Sequence, residues 1–404
     1  MIKIAVLGYG TVGSGVVEVI QTNQEVINQR IGEELEIKYI LDLRDFPGSP
    51  IEHLVVHDFE QIVNDEEVQI VVEVMGGIEP AYTFVKRSLL AGKSVATSNK
   101  ALVAKHGAEL LAIAKEKQIN FLYEASVGGG IPIIRPLTSS LTGDVIEEIT
   151  GILNGTTNYM MSKMYHENAD YDAVLKEAQA RGYAERDPSA DVEGHDACRK
   201  IAILSSIICG KLVDFEDIYT EGITKVTLED IQYAKAMDMK IKLLASCKRD
   251  GDKLCAIVAP HLVSKDHPLY NIEDVFNAIF VKGNMLGDSM FYGSGAGKLP
   301  TASAVVGDIV EAAKNPNRSM MATWDDEKIV LEEKSDTTKQ FFVRMKGNAE
   351  ECKAQLEETF GTIMVISLPE LQDEFAFVTE VISEGQYEKA AEKFPQICGM
   401  IRVK

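Results

Sequence analysis

The sequence is poor in cysteine, and its cysteines form no recognisable metal or redox motif. Six cysteines occur in 404 residues. No two of them stand in a C-x-x-C pair, which argues against a zinc ribbon and against a thioredoxin-like redox site. We therefore expect six reduced thiols, as is usual for a cytoplasmic protein.

Positive charge is also scarce. The chain has 41 Lys and Arg residues against 62 Asp and Glu residues, which gives a formal net charge of -21. A surface this acidic repels the phosphates of nucleic acids and of anionic membranes. We expect neither a nucleic acid nor a membrane among the partners.

Long apolar runs and a recognisable leader are missing as well. The most apolar helical stretch, Ile201–Cys209, contains Ser205 and Ser206 and has about half the length needed to span a bilayer. The first ten residues enter a strand directly, without the charged head, apolar middle and cleavage site of a signal peptide. We expect no transmembrane helix and no export by that route.

From residue 1 to residue 135, short runs rich in Val and Ile alternate with helical patterns. This alternation predicts an α/β fold, in which a Rossmann-type parallel sheet is connected by crossover helices. We assign residues 300–314 to the same domain. The predicted strands are Lys3–Leu7, Ile37–Leu41, Gln69–Met75, Ser94–Thr97 and Asn120–Glu124, and the clearest helix is Ala101–Lys117.

The pattern changes after residue 135. Residues 136–314 mix strands with long helices, which predicts an α+β substrate domain. The predicted strands are Val145–Leu153, Leu254–Leu262 and Asn277–Lys282, and the predicted helices are Ala173–Arg181, Cys198–Cys209 and Leu228–Cys247.

The last ninety residues form two parts. Residues 315–339 are polar and charged, and we interpret them as a linker. Residues 340–404 have a βαββαβ order, which predicts a small ferredoxin-like module. Its predicted elements are Gln340–Met345, Ala349–Phe360, Thr362–Leu368, Glu374–Ser383, Gln386–Phe394 and Gly399–Val403.

A glycine-rich loop follows the first predicted strand and opens a helix. It reads Gly-Tyr-Gly-Thr-Val-Gly, the G-x-G-x-x-G pattern of dinucleotide-binding loops. Its position between a strand and a helix favours dinucleotide binding over a turn without a ligand. The candidate cofactor contacts are Gly8, Gly10, Thr11, Val12 and Gly13.

The end of the second predicted strand carries two residues that indicate different cofactors. An acid such as Asp42 binds the ribose hydroxyls of NAD, whereas an arginine such as Arg44 accepts the additional phosphate of NADP. A pair of solvated surface charges is the alternative. The sequence leaves NAD and NADP both open, with Arg44 as a candidate contact.

Three further segments have a position or a composition that is typical of ligand-binding sites. Thr97–Lys100 closes the fourth strand, so Lys100 lies at the carboxyl edge of the sheet, where open α/β folds bind ligands. Residues 124–132 contain three consecutive glycines, whose carbonyls suit a cation or a cofactor cleft. Gly293–Thr301 leads into a helix. The structural alternatives are, in the same order, a surface lysine, a hinge, and a loop that leads into a helix without binding a ligand.

The acidic stretch Ala178–Lys200 is the most informative segment. A helix ends at Gly182, a proline-containing loop follows, and a new helix begins near Glu193 or Gly194. Asp196 and Lys200 are then one turn apart on one face. Carboxylates beside a lysine suit a substrate with an ammonium group and an oxygen that exchanges a proton. An ion pair that only stabilises the helix is the alternative.

Together these segments resemble homoserine dehydrogenase over residues 1–314. The resemblance includes Thr97–Lys100, the glutamate and triple glycine near residue 124, residues 151–159 and residues 300–305. It is most specific in the acidic stretch, where the matching positions are Ala178, Gly182, Asp187, Pro188, Asp191, Gly194, Asp196 and Lys200.

The resemblance implies NAD(P)-dependent interconversion of L-homoserine and L-aspartate 4-semialdehyde, in threonine and methionine biosynthesis. It implies that Lys200 donates the proton to the aldehyde oxygen, with help from Lys100. Glu185, Asp191 and Asp196 are then the substrate-binding acids, with Asp196 also orienting Lys200. The resemblance further implies a cofactor contact at Gly297 and a backbone site for sodium or another monovalent cation at Glu124, Val127, Gly129 and Ile131.

The same resemblance extends to assembly and regulation. It implies that residues 136–314 carry both the catalytic groups and the contact of a homodimer or higher homo-oligomer. Residues 340–404 resemble an ACT domain, for which threonine is the candidate effector. However, Lys346–Glu351 replace the Pro-Gly pair typical of such domains. Aspartate-semialdehyde dehydrogenase and a non-catalytic nucleotide and amino-acid sensor are the alternative functions.

Overall fold

The computed structural model describes residues 1–251, 253–321 and 324–404. The chain alternates strands and helices from its first residues. Up to residue 122 the elements are β1 (Ile2–Leu7), α1 (Thr11–Thr22), α2 (Gln24–Ile31), β2 (Leu35–Leu41), β3 (Val55–Val56), α3 (Glu60–Val63), β4 (Val68–Glu73), α4 (Ala81–Leu90), β5 (Ser94–Thr97), α5 (Lys100–Lys117) and β6 (Phe121–Leu122).

Longer strands and helices follow. They are β7 (Ile146–Ile152), α6 (Gly155–Glu167), α7 (Tyr171–Ala180), α8 (Ser189–Val192), α9 (His195–Cys209), β8 (Tyr219–Thr220), α10 (Leu228–Ala236), β9 (Met239–Asp250), β10 (Lys253–Ser264), β11 (Phe276–Gly283), β12 (Gly287–Ser294) and α11 (Lys298–Lys314). The last elements are β13 (Thr338–Lys346), α12 (Ala349–Phe360), β14 (Met364–Ile366), β15 (Glu374–Val378), β16 (Ile382–Ser383), α13 (Glu384–Ala391) and β17 (Ile397–Val403).

The chain folds into two compact units, and each unit is assembled from three separate segments. The first unit consists of Met1–Val145, Ala202–Phe215 and Phe291–Ile329. The second unit consists of Ile146–Ile201, Glu216–Met290 and Val330–Lys404. Neither unit is a continuous stretch of sequence.

The first unit contains the parallel sheet that the sequence predicts. Its six strands have the order β3-β2-β1-β4-β5-β6, and every pair is parallel. This is the order of a dinucleotide-binding fold, in which successive strands are added on one side of β1 up to β3 and on its other side from β4 onward. The predicted α/β fold class is confirmed.

The helix α11 completes the core of the first unit from a distant part of the sequence. Its residues Val305 and Ile309 are fully buried in the cluster that surrounds the sheet. It approaches α1 so closely that a Cβ atom on Gly15 would lie 2.8 Å from the carbonyl oxygen of Lys298. The contact therefore requires glycine at position 15.

Over the described residues the second sheet has eleven strands. Nine of them have the order β12-β11-β7-β9-β10-β17-β13-β15-β14, while β16 pairs with β13 and β8 pairs with β10. The long antiparallel hairpin of β9 and β10 lies at its centre. The last strand, β17, pairs in parallel with β10, with His261 opposite Arg402 and Leu262 opposite Val403. The strands at the end of the chain thus continue the sheet of the preceding segment.

The C-terminal strands β17-β13-β15-β14, with α12 and α13 between them in sequence, have the predicted βαββαβ order. Their core is aromatic: Phe341 and Phe377 on the strands pack with Phe360, Tyr387 and Phe394. On the other face of β13, Arg344 is buried and lies 3.2 Å from Asp230 of α10. The module is thus joined to the rest of the second unit through both β17 and Arg344.

The predicted helix Leu228–Cys247 is wrong over its second half. The helix α10 ends at Ala236, and β9 begins at Met239 after a turn in which Asp238 has φ +56°. Pairing with β7 and β10 on its two sides places β9 in the middle of the sheet. Backbone pairing with two neighbours therefore outweighed the local helical pattern. The strand β12 was also missed.

The segment predicted as a linker carries the only tryptophan of the chain. Among its described residues it has one short 3-10 helix, Lys334–Asp336. Trp324 is 2% exposed and meets the ring of Tyr123 edge-on at 5.8 Å. A Cβ atom on Gly107 would lie 2.5 Å from the indole. This part of the segment is therefore packed within the first unit.

Two further expectations concern cysteine and membrane spans. All six cysteines are thiols, with no disulfide between them. Over the described residues no helix combines the length and the apolar character needed to cross a bilayer.

Candidate active site

The glycine loop connects β1 to α1 in a conformation that depends on its glycines. Gly8 has φ +98°, a region that favours glycine. A Cβ atom on Gly13 would lie 1.9 Å from the carbonyl oxygen of Gly8, whereas one on Gly10 would meet nothing within 4 Å. Gly13 is thus required for packing, and Gly10 leaves open space beside the N-terminus of α1. A helix N-terminus with space beside it suits a pyrophosphate.

Arg44 and Asp42 form a two-pronged ion pair at the end of β2. The Arg44 guanidinium donates to Asp42 through Nε and Nη2, each at 2.9 Å, and to the Tyr9 carbonyl at 3.0 Å. The Tyr9 N–H donates to Asp42 at 2.8 Å. The arginine holds the pKa of the Asp42 carboxyl well below its usual range. Arg44 is 60% exposed, so one face of the guanidinium remains open to solvent.

A buried carboxylate organises the segment before Lys100. Glu73, at the end of β4, accepts hydrogen bonds from the Thr97 hydroxyl at 2.5 Å and from the Met75 N–H at 2.8 Å. Asn99 caps α5 by accepting from the Leu102 N–H, so Lys100 is the first residue of that helix. Burial raises the pKa of Glu73 to about 7. Lys100 thus stands at the carboxyl edge of the parallel sheet, as expected.

The expected cation loop is buried and is held by several hydrogen bonds. The Glu124 carboxylate accepts the N–H groups of Ile133, Ile134 and Arg135 at 2.6–2.8 Å. The Glu124 N–H donates to Asp308, which Arg135 also contacts. These contacts fix the backbone on both sides of the Glu124 side chain.

Several carbonyls of this loop are available to a ligand. In the described part of the chain, no hydrogen bond is made to the carbonyl oxygens of Val127, Gly129 or Ile131, and all three residues are buried. The glycine loop before α11 packs closely against Gly129, since a Cβ atom on Gly129 would lie 2.3 Å from the Gly295 carbonyl oxygen. Gly297 follows with φ +119° and precedes α11 as its N-cap residue. Buried carbonyls without donors fit a monovalent cation.

The backbone of the acidic stretch explains several of its residue types. Gly182 and Gly194 have φ +75° and φ +85°, so both favour glycine. Ala178 is completely buried on α7. The Asp187 carboxylate accepts from both the N–H and the hydroxyl of Ser189, which fixes the turn through Pro188. Most of these positions therefore shape the loop.

Three remaining residues of the stretch form one network, in which Asp196 and Lys200 are buried and Asp191 is half-buried. Lys200 Nζ lies 2.7 Å from Asp196 Oδ2 and donates to the Leu153 carbonyl at 2.7 Å. Asn154 Nδ2 donates to Asp196 Oδ2 at 3.1 Å and to Asp191 Oδ1 at 2.7 Å. Asp196 and Lys200 are 6% and 8% exposed. The structure thus brings Asp191, Asp196 and Lys200 together.

Glu185 lies outside this network. Its side chain is exposed, and its carboxylate makes no hydrogen bond to the described residues. Its backbone carbonyl accepts from Gln179 at 3.0 Å, and nearby Thr156 donates to the Tyr183 carbonyl at 2.6 Å. The loop that carries Glu185 is thus tied to α6 and α7 while its carboxylate faces solvent.

Comparison with known proteins identifies the family. Residues 8–124 match the model "Homoserine dehydrogenase, NAD binding domain", and residues 132–310 match the model "Homoserine dehydrogenase". A homoserine dehydrogenase of Bacillus subtilis is 43% identical over 319 residues, which cover 78% of this chain and 73% of the relative. The chain belongs to the homoserine dehydrogenase family.

Solved homoserine dehydrogenases share this fold. The Thiobacillus denitrificans structure has a TM-score of 0.91 at 34% identity, with 100% of this chain and 98% of that chain covered. A hyperthermophilic archaeal homoserine dehydrogenase in complex with NADPH has a TM-score of 0.67 at 30% identity, with 77% of this chain and 97% of that chain covered. The protein is an oxidoreductase that interconverts L-homoserine and L-aspartate 4-semialdehyde with NAD or NADP.

Membership of the homoserine dehydrogenase family decides between the alternative functions. Aspartate-semialdehyde dehydrogenase chemistry requires an accessible nucleophilic cysteine. Cys198, the cysteine of the acidic stretch, is 4% exposed within α9. A sensor without catalysis would not need the buried lysine network. Both alternatives are therefore set aside.

The sequence alone did not assign two residues of these networks. Asn154 lies inside the segment that resembles homoserine dehydrogenase, and its position between a strand and a helix is typical of an N-cap. That signal indicates a helix start, but not the contacts with Asp191 and Asp196. Glu73 has no sequence signal beyond a charge at the end of an apolar strand, and its partner Thr97 is 24 residues away.

Proposed function

We propose that Lys200 exchanges the proton of the reaction. An ammonium has three N–H donors, and the Asp196 carboxylate and the Leu153 carbonyl account for two of them. The third is then directed at the substrate oxygen, which gains the proton during reduction of the aldehyde and loses it during oxidation of the alcohol. Hydride exchange at the adjacent carbon is the chemistry that a bound nicotinamide supplies. The Lys200–Asp196 geometry carries this proposal.

Acidic residues of the same network suit the substrate ammonium. Asp191 and Asp196 carry two negative charges against the single positive charge of Lys200. Carboxylates bind an α-ammonium group through charge-assisted hydrogen bonds, so these two side chains suit that group of the substrate. We assign Asp191 and the exposed Glu185 to substrate binding, and Asp196 to both substrate binding and the orientation of Lys200.

For Lys100 we propose a supporting role in catalysis and in binding of substrate and nicotinamide. Its place as the first residue of α5, at the carboxyl edge of the parallel sheet, supports this role. The Glu73 and Asn99 contacts hold the preceding residues in place. Substitution of Lys100 by Ala should lower the rate without preventing nucleotide binding by the glycine loop.

NADP is the nucleotide that this site suits better. Gly8, Gly10, Gly13 and the first residues of α1, Thr11 and Val12, would hold the pyrophosphate. The Asp42 carboxylate is already bonded to Arg44 and to the Tyr9 N–H, so it is engaged before a ribose hydroxyl arrives. Arg44 offers an exposed guanidinium to a 2′-phosphate. Gly297 is proposed as an additional cofactor contact.

A monovalent cation is proposed at the carbonyls of Glu124, Val127, Gly129 and Ile131. The buried carbonyls without donors support it. Sodium is a candidate because hard cations prefer oxygen ligands. The described residues contain no group of three His, Cys, Asp or Glu side chains suited to a metal ion.

For the remaining organisation we propose a nucleotide-binding domain of residues 1–135 and 300–314, a catalytic and dimerisation domain within 136–314, a linker of 315–339 and an ACT-like domain of 340–404. The βαββαβ order of the last part supports its assignment. We propose a homodimer or higher homo-oligomer with threonine as effector. An unchanged rate after addition of threonine would count against this effector.

A cytoplasmic location is also proposed. The six thiols support it, because disulfides are rare in the reducing cytoplasm. Separation of cell fractions followed by immunodetection would test the location directly.

The central experiment follows nicotinamide absorbance with L-homoserine and either NAD⁺ or NADP⁺. Turnover by the wild type and a loss of about 10²- to 10⁴-fold in kcat for Lys200→Ala are expected, because this is the usual contribution of one general acid or base. Turnover that survives Lys200→Ala would remove this lysine from the mechanism.

A matched control is available in the same unit. Lys163 forms an i,i+4 ion pair with Glu167 at 2.6 Å, and the two side chains are 20% and 52% exposed, so this pair is more accessible than Lys200 and Asp196. Lys163→Ala removes a helical ion pair without affecting the buried network, and its kcat should equal that of the wild type. A similar loss in both variants would indicate a general effect on folding.

A further inference from the structure

Asn154 is the residue that connects the acidic groups around Lys200, and it lies on a different element. Lys200 and Asp196 belong to α9, and Asp191 belongs to α8. Asn154 precedes α6, directly after the strand β7. It is 5% exposed, so its amide is almost completely shielded from water.

The orientation of the Asn154 amide is fixed by its own helix. Its Oδ1 accepts hydrogen bonds from the Thr157 N–H at 2.9 Å and from the Thr157 hydroxyl at 3.0 Å. A backbone N–H is a donor only, so the atom facing it must be the amide oxygen. The NH₂ group therefore points away from α6, toward the two aspartates.

Each hydrogen of that NH₂ group has a carboxylate acceptor. One donates to Asp191 Oδ1 at 2.7 Å and the other to Asp196 Oδ2 at 3.1 Å. Asp196 Oδ2 is also the oxygen that Lys200 contacts at 2.7 Å. The amide thus bonds to the same oxygen as the lysine and ties it to the neighbouring acid.

We propose that Asn154 is a positioning residue for the reaction, which holds Asp191 and Asp196 as anions and thereby fixes the direction of Lys200. This inference rests on the proposed roles of Lys200 and the two aspartates. A neutral donor is the group that suits this place. A cation would neutralise the charge that attracts the substrate ammonium, and an acid would add a third carboxylate to the buried cluster.

The test separates positioning from helix capping. Asn154→Ser and Asn154→Asp both retain a good N-cap residue for α6, and both lack the amide donor. We expect thermal unfolding close to that of the wild type and a decrease of about 10- to 100-fold in kcat for the serine variant, the usual effect of losing a group that orients a catalytic residue. The aspartate variant should lose more, because it places like charges together.

The pH profile provides a readout that a purely structural role would not change. A hydrogen bond to a carboxylate favours its charged form, so its loss raises the pKa of Asp191 and Asp196. The acidic limb of kcat/KM should therefore move to higher pH in Asn154→Ser and further in Asn154→Asp. Reduced kcat with an unmoved acidic limb in both variants would overturn the proposal, as would an unchanged kcat.

Two controls complete the experiment. Asn348 is also an N-cap asparagine, and it accepts from the Glu350 N–H at 2.8 Å at the start of α12. Asn348→Ser should leave both kcat and the pH profile unchanged. Lys200→Ala tests the proposed function independently. If this variant retains activity, the proposed role of Lys200 is wrong. If it is inactive while the Asn154 variants have a normal kcat and a normal pH profile, only the positioning role of Asn154 is refuted.

Discussion

Replacement of Arg44 by Ala should change the nucleotide preference of the enzyme. The substitution removes the exposed guanidinium that is proposed to contact a 2′-phosphate. It also releases the Asp42 carboxylate from its two hydrogen bonds to the guanidinium, while the bonds from the Tyr9 N–H at 2.8 Å and from the backbone N–H of residue 44 at 3.0 Å remain. Asp42 then becomes available to the ribose hydroxyls of NAD.

The size of the effect follows from the contacts. Hydrogen bonds between charged groups contribute about 1.5–3 kcal/mol each, so the loss of one to a phosphate raises the KM for NADP⁺ by about 10- to 150-fold. The KM for NAD⁺ should stay constant or fall. Stability should change by less than about 1 kcal/mol, because Arg44 is 60% exposed and exposed ion pairs contribute little.

Steady-state oxidation of L-homoserine with each nucleotide measures both KM values. Arg87→Ala is a matched control, since Arg87 forms a similar two-pronged ion pair with Glu60, with hydrogen bonds of 2.7 and 2.9 Å. The Arg87 guanidinium lies over the ring of Phe59. Equal KM changes for both nucleotides in Arg44→Ala would refute the reasoning. An NADP⁺-specific change in Arg87→Ala would refute it as well.

Three further predictions concern stability, each measured by urea unfolding. Burial raises the pKa of Glu73 from 4.5 to about 7, so the stability that its protonated form contributes is complete below pH 4.5 and is lost as the pH rises through 7. Glu73→Gln should remove this dependence, which amounts to about 3 kcal/mol, and equal pH slopes in both proteins would contradict it. Arg402 and Glu384 form an ion pair in which both side chains are 1% exposed, so Arg402→Met should cost about 3–5 kcal/mol and the double variant with Glu384→Met much less. An additive double variant would argue against this pairing. Trp324→Ala should cost about 3–5 kcal/mol because it leaves a cavity beside Gly107, and a cost under about 1 kcal/mol would mean that the segment does not pack there.

Local patterns were sufficient to predict the parallel sheet. The strands β1, β4 and β5 are short and consist mostly of Val, Ile, Ala and Leu, and the turn after β1 needs glycine for reasons that depend on its immediate neighbours. Such signals are readable because each element and its turn lie within a few residues. The C-terminal order was predictable for the same reason.

The strand β9 shows why other parts were not predictable. Its alternating Lys240 and Lys242 are both buried, so the lysines do not mark a solvent-exposed face. Lys242 is accommodated because it donates to Asn158 at 3.1 Å and lies 3.5 Å from Glu273. These partners are 84 and 31 residues away in sequence. A buried lysine is recognisable only when its distant partners are known.

In the candidate site, too, contacts between residues close in sequence were predictable and contacts between distant residues were not. Asp196 and Lys200 were predictable as a pair because they are four residues apart on one helix. The link from Asn154 to Asp196 spans 42 residues and joins different elements. The sequence therefore predicted the pairing of these two side chains, while the contacts that hold them depend on tertiary structure.

The segmented construction of the first unit has a consequence for biosynthesis. The helix α11 supplies Val305 and Ile309 to the core around β1 and α1, although about 280 residues separate these elements. A ribosome must therefore translate most of the chain before the apolar surface at its beginning can be covered. During that interval the nascent chain exposes a surface that favours aggregation and attracts chaperones. A circular permutant that begins at α11 would shorten the interval, and we expect it to reach its native state with less assistance.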